Sequence, residues 1–328
     1  MSKFAVIGSN SFSGSSFIKY LLGNGHDVIG ISRSPEIDSV FLAYEGKTEF
    51  NFNFYNLDLN KNLELVVRTI SDYRPDYVVN FAAQGMVAQS WDKPGDWFQT
   101  NTVATIKLHD ELRKFDWLKK YVHVSTPEVY GSCSGLVKED KAFNPSTPYA
   151  VSRAAADLSL LSFIKSYNFP VVFTRAANVY GEHQQLYRII PRTLLFFLTG
   201  RKLELHGGGT SVRSFIHIDD VCRGTELAAE TGEIGEVFHF ATPENISIRA
   251  LVEKIADRLE ICFDDNVKVT GERLGKDEAY LLDCSLAKRR FNWEPVISLD
   301  EGLDRTTSWI QENLNILLEQ PQDYIHKP

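Results

Sequence analysis

The sequence predicts an α/β protein built on a doubly wound parallel sheet, and three observations carry that expectation. Short apolar runs alternate with longer segments of helical spacing through the first half of the chain. The first run, Phe4-Ala5-Val6-Ile7, opens directly into the glycine-bearing turn GSNSFSG at 8–14. The 328 residues are 43% apolar, enough for a sizeable core and for roughly two domains.

The elements follow in order. Strands are expected at 4–7, 28–31, 77–81, 121–124 and 171–174, and helices at 15–22, 63–73, 102–115 and 150–166. This βαβ rhythm requires parallel pairing with helices on both faces. A third strand should end just before Asp58-Leu59. After about residue 180 the rhythm breaks, and a smaller lobe is expected. The expected division is 1–180 plus 214–244 and about 296–318 for the sheet domain, 181–213 plus 245–295 for the lobe, and 319–328 for a tail.

The formal net charge of −8 argues against a nucleic-acid or anionic-membrane partner. Cys133, Cys222, Cys262 and Cys284 lie far apart with no C-x-x-C pair, so neither a zinc site nor a disulfide framework is expected, and a reducing cytoplasm fits. His183, His206 and His217 show no ligand spacing, so no metal is expected. The greasiest late stretch, 189–198, contains Pro191 and Arg192 and is too short to span a bilayer.

In a dinucleotide-binding βα turn, glycines permit tight backbone geometry, and the pyrophosphate rests on the amides of the following helix. Gly8 and Gly14 are placed for that role, while the middle position is Ser11. If that position demands positive φ, serine costs on the order of 1 kcal/mol. A cradle and a serine-rich loop both remain open on the turn alone. The second strand ends in Ser32-Arg33-Ser34 with no carboxylate for ribose hydroxyls. A guanidinium flanked by hydroxyls suits a 2′-phosphate, so NADP is expected rather than NAD, unless Arg33 is an ordinary solvated cation. Asp58 and Leu59 are placed to meet the adenine.

Along the chain stand GSNSFSG (8–14), NFAAQ (80–84), TNT (100–102), STPEVYG (125–131), YAVSR (149–153), NVYG (178–181), VRSF (212–215) and RLGKD (273–277). Each is weak alone; the ordered set, over about residues 4–310, resembles the extended short-chain dehydrogenase/reductase family and its nucleotide-sugar 4,6-dehydratases. The resemblance implies a Rossmann-type sheet with an interleaved substrate lobe, a nucleotide-diphosphate sugar as substrate, and a homodimer formed through paired helices. It also implies cofactor contacts from Gly8, Ser11, Phe12, Ser13, Gly14, Ser32, Arg33, Ser34, Asp58, Leu59, Ala82, Ala83, Gln84, Asn101, Tyr149 and Arg153. Substrate contacts are implied for Gln84, Thr126, Pro127, Glu128, Asn178, Arg192, Arg213 and Arg273. The bland reading of these arginines is surface salt bridging.

The chemistry can be argued from the residues as well. Tyr149 and Arg153 are four apart at a helix start, so they share one face, and a cation beside a phenol favours the phenolate. Tyr149 is then the base that takes a sugar hydroxyl proton as hydride leaves the same carbon, with Thr126 sharing a hydrogen bond. The family pattern has lysine where this chain has Arg153, which keeps the charge but cannot relay a proton near neutral pH. Once C4 is a ketone, Glu128 can remove the acidified C5 proton and assist loss of the C6 hydroxyl. In dTDP-glucose-type relatives an aspartate general acid precedes this glutamate; here, as in GDP-mannose-type relatives, it is absent, and Pro127 stands there. Glu128 then serves as both base and acid, or water helps. Two competing expectations stay open: another reaction of the family (C4 epimerisation, ketone reduction or decarboxylation), and a non-catalytic dinucleotide-binding protein, to which the departures at Ser11, Pro127 and Arg153 would point.

Overall fold

The structure is a computed structural model describing residues 1–46, 51–133, 135–140, 142–271 and 281–327. The N-terminal elements are β1 (Lys3–Ile7), α1 (Phe12–Gly23), β2 (Asp27–Ser32), β3 (Phe52–Asn56), α2 (Leu63–Tyr73) and β4 (Tyr77–Asn80). Next come α3 (Pro94–Phe98), a π-helical turn (Gln99–Ala104), α4 (Thr105–Leu112), β5 (Lys120–Val124), β6 (Leu136–Val137), α5 (Pro148–Tyr167) and β7 (Val171–Ala176). The remainder holds β8 (Asn178–Tyr180), α6 (Ile189–Leu198), β9 (Leu203–His206), β10 (Val212–Arg213), β11 (Phe215–His217), α7 (Ile218–Thr231), β12 (Val237–Phe240) and α8 (Ile248–Arg258), among others.

Seven strands form one sheet in the order β12-β7-β5-β4-β1-β2-β3, and every neighbouring pair is parallel. The central strands are buried on both faces, and the period-2 alternation divides them between two cores. Phe4, Val6, Val28, Val79 and Val122 pack on one face, with α1 and α7. Ala5, Ile7, Ile29, Val78 and Tyr121 pack on the other, with α2, α4 and α5. Truncating such a core aromatic, Phe4→Ala for instance, costs about 3–5 kcal/mol. The chain order reverses between β1 and β4, which opens a crevice outside their carboxyl ends.

A separate apolar core joins Tyr180, Ile190, Leu194, Leu205 and Leu251 to Leu303, Trp309 and Leu317. The expected boundaries therefore shift at two places. The helix Leu299–Glu312 closes the lobe core rather than the sheet's. Leu282, Ala287 and Trp293, assigned to the lobe from sequence, pack with Phe238 and Phe240 of β12. The order of segments along the chain does not show which core each one joins. Among the described residues no helix is long and apolar enough to cross a membrane.

Candidate active site

The turn after β1 resolves the serine question. Gly8 has φ +85, and a Cβ there would lie 2.6 Å from the Ala82 amide nitrogen. A Cβ on Gly14 would stand 2.3 Å from the Gly8 carbonyl oxygen. Both glycines are therefore demanded by close approach. Ser11 sits at φ −75, ψ 155 and caps α1, accepting from the Gly14 amide at 3.0 Å and donating to the Gly8 carbonyl at 2.7 Å. The expected backbone cost at Ser11 is absent, because its conformation is that of an ordinary N-cap. By helix geometry, the first-turn amides of Phe12 and Ser13 point out of the helix into the crevice. The cradle fits a dinucleotide pyrophosphate.

Several residues expected at the cofactor are also engaged within the protein. The Phe12 side chain is buried in the sheet core, and so is Leu59. Asp58 holds its own turn, accepting from the Asn60 amide at 2.8 Å. Asn101 clamps the loop after β4: its carbonyl accepts from the Gln84 amide at 2.8 Å, and its NH2 donates to the Gln84 carbonyl at 3.1 Å and Ser152 Oγ at 3.0 Å. Ser34 is held by Asn10, whose amide donates to the Ser34 carbonyl at 3.0 Å and to Oγ at 3.3 Å. The Ser32 carbonyl accepts from Asn56 Nδ2 at 3.1 Å. Ala82 is partly buried and Ala83 exposed, following β4. Arg33 Nη2 donates to the Lys327 carbonyl at 3.0 Å, and Gln84 Nε2 donates to the same oxygen at 2.6 Å.

The catalytic candidates come together. Thr126 follows β5 and caps the short turn Pro127–Tyr130, which aligns Glu128. Pro127 takes the first position of that turn, where no N–H is needed. Thr147 caps α5, Pro148 follows it, and Tyr149 occupies the first turn, held through its amide by Ser90 Oγ at 3.2 Å. The Tyr149 side chain lies within electrostatic reach of Thr126, Glu128, Arg153 and Arg188. Burial, and then the Glu128 carboxylate, push the phenol up; Arg153, the nearby Thr126 side chain and Arg188 pull it back without reversing the shift. The expectation that Arg153 leaves this tyrosine with a lowered pKa is therefore corrected, since desolvation outweighs the cation. Arg153 is itself buried, and one Nη donates to the Val124 carbonyl at the end of β5.

Beneath the site, Asp157 continues the Tyr149–Arg153 stripe one turn further along α5. It accepts from Ser125 Oγ and Arg175 Nη2, each at 2.7 Å. Burial alone would raise its pKa, but Arg175 and His123 hold it well below the usual carboxylate range. Ser125, the residue before Thr126, is tied to α5 in this way. Sequence reasoning missed this pair, and also Arg188, four residues before Arg192 at the start of α6. Their proximity to Tyr149 and Ser125 depends on tertiary packing, which no local pattern in the sequence shows. Of the remaining substrate candidates, Asn178 begins β8 beside Phe215, and Arg213 lies in β10 with Nη1 donating to the Val212 carbonyl at 2.8 Å. Arg192 binds the Gln322 carbonyl at 3.1 Å and Asp323 at 3.0 Å. Arg273 and its RLGKD stretch fall outside the described residues.

Comparison with known proteins bears on this geometry. The family model described as GDP-mannose 4,6 dehydratase matches residues 6–306. A dTDP-glucose 4,6-dehydratase of Streptomyces antibioticus is 35% identical over 73% of this chain and 71% of its own length. The crystal structure of a dTDP-glucose 4,6-dehydratase from Streptomyces venezuelae with NAD bound superposes with a TM-score of 0.89 at 30% identity, covering 96% of this chain and 98% of that one. A UDP-glucose 4-epimerase from Thermotoga maritima with UDP-glucose superposes with a TM-score of 0.86 at 28% identity, covering 95% and 99%.

Proposed function

The chain belongs to the GDP-mannose 4,6-dehydratase family of extended short-chain dehydrogenases/reductases, and from that premise we propose that it converts a nucleoside-diphosphate hexose to the 4-keto-6-deoxy sugar. The observation that carries the reading is the meeting of Tyr149, Thr126, Glu128 and Arg153 in one site. A bound nicotinamide dinucleotide supplies the hydride acceptor at C4 and the donor at C6. Tyr149 takes the C4 hydroxyl proton, with Thr126 holding the same oxygen. Glu128 removes the C5 proton; with Pro127 beside it, the proton for the departing C6 hydroxyl comes from Glu128 itself or from water. Arg188, Arg213 and Arg273 supply guanidinium groups for the diphosphate.

Sheet and lobe divide the work: the crevice at β1 and β4 takes the dinucleotide, and the lobe takes the nucleotide sugar. The solved Streptomyces relative carries NAD. The Ser32-Arg33-Ser34 end of β2, with no acid among the three, supports NADP for this chain. Calorimetry should then give tighter binding of NADP+ than of NAD+; the reverse order would overturn this point. A homodimer is supported by Val103, Val151, Leu158 and Leu161, apolar side chains left exposed on the π-helical turn and α5. The four cysteines are unpaired, which supports a cytoplasmic setting.

The deciding experiment is mass spectrometry of dTDP-, GDP-, UDP- and CDP-hexoses incubated with the protein and either dinucleotide. Loss of one water with no net cofactor reduction is expected with dTDP-glucose or another member of the panel. The likeness to a 4-epimerase makes C4 inversion the second reading. It would appear as a new sugar of unchanged mass, and no turnover across the panel would overturn both.

A further inference from the structure

Residues 320–327 form neither helix nor strand, yet Gln322, Asp323, Tyr324, His326 and Lys327 each make contacts with the body of the protein. The Gln322 carbonyl and the Asp323 carboxylate both take hydrogen bonds from Arg192. Tyr324 packs edge-on against Tyr187 at 5.5 Å between ring centroids. His326 stacks flat on the fully buried Trp97, with centroids 4.9 Å apart and planes 7° from parallel. Its Nε2 lies 2.7 Å from an Asp96 carboxylate oxygen. The Lys327 carbonyl then receives two donors, from Gln84 at 2.6 Å and Arg33 at 3.0 Å. Gln84 is only 3% exposed, so its donor is built into the floor of the groove.

The last contact fixes the location. Arg33 follows β2 and Gln84 follows β4, the strands on either side of β1. A carbonyl held by both lies in the crevice in front of the Gly8 turn. We propose that residues 320–327 are the ligand of a peptide-binding groove that overlaps the dinucleotide crevice, so that the segment and the dinucleotide exclude each other. The inference rests on the reading of that crevice given above. Its physical basis is competition for donors: an amide or guanidinium N–H directed at the Lys327 carbonyl is not directed at a cofactor oxygen. The groove selects an extended peptide with an acid for Arg192, an aromatic residue for Tyr187 and an imidazole between Trp97 and Asp96.

The test compares the full chain with one lacking residues 320–328, using NADP+ and NAD+ as titrants in calorimetry. The truncated chain should bind its preferred dinucleotide at least tenfold more tightly. A synthetic peptide of residues 319–328 should bind the truncated chain and be released by dinucleotide. The double variant Tyr324→Ala, His326→Ala, which keeps the chain length, should shift affinity in the same direction as truncation. In the full chain, dinucleotide should increase hydrogen exchange across 320–327. Unchanged or weaker dinucleotide binding after truncation would overturn the exclusion, as would simultaneous binding of peptide and dinucleotide. A truncated chain that holds the peptide but neither dinucleotide would instead overturn the reading of the crevice and leave the groove standing.

Discussion

Opposite charges act on the Tyr149 hydroxyl, and substitution separates them. Glu128 raises its pKa and Arg153 lowers it, on top of the dominant effect of burial. A base that works as phenolate is active on the alkaline side of an acid limb in the pH–rate profile. Glu128→Gln removes a raising charge, so the acid limb of C4 oxidation, followed as reduced nicotinamide in a single turnover, should move to lower pH. Arg153→Met removes a lowering charge and should move it to higher pH. Identical limbs in both variants would detach these side chains from the phenol. In Glu128→Gln, water elimination should fall about 10²- to 10⁴-fold. The Tyr149–Arg153 spacing and the Thr126-Pro127-Glu128 run were legible as sequence, because helix periodicity and a strand end fix their directions. The sign of the net shift was not, since desolvation is set by residues distant in the chain.

At the scale of the element, the turn between β1 and α1 shows what a motif letter does and does not mean. Ser11 works through its hydroxyl at an N-cap, so Ser11→Ala should cost about 1 kcal/mol and Ser11→Gly only a few tenths in urea unfolding. Equal costs would remove the capping role. Gly14→Ala has no such tolerance, because its methyl would meet the Gly8 carbonyl; loss of both stability and dinucleotide binding is expected. Four helices were anticipated within a few residues, and 63–73 coincides with α2. The helix expected at 102–115 instead begins with a π-helical turn at Gln99–Ala104, which carries Asn101 to the Gln84 backbone. Apolar spacing carries no sign of that extra residue per turn. Nor could it show that Asp58 and Asn101 hydrogen-bond within the loops, since a loop and a ligand ask for the same short polar side chain.

Across the whole molecule, the sheet and the lobe are joined by a polar cluster. The Asp219 amide donates to His217 Nδ1 at 3.2 Å, leaving Nε2–H to donate to Glu182 at 2.9 Å, and Arg305 binds Glu182 at 2.9 Å and Asp219 at 2.7 Å. Burial alone would raise the Glu182 pKa, but the His217 bond and the Arg305 charge bring it down to about 2. An unfolded glutamate titrates near about 4.3, so the folded state binds fewer protons between these values. The stabilisation is complete above the unfolded pKa and is lost as pH falls toward about 2. Urea midpoints across that window should fall with pH in the parent and less steeply in Glu182→Gln; parallel curves would remove Glu182 from acid unfolding. The parallel sheet was readable from alternating periods, but the lobe was not, because its core unites short segments with no common rhythm. That patchwork matters for synthesis. A nascent chain released as far as β12 already has all seven strands of its sheet, while α6 still waits for the helix Leu299–Glu312 to cover it. The greasy half-lobe is thus the surface that growing chains must keep from one another until the ribosome has nearly finished.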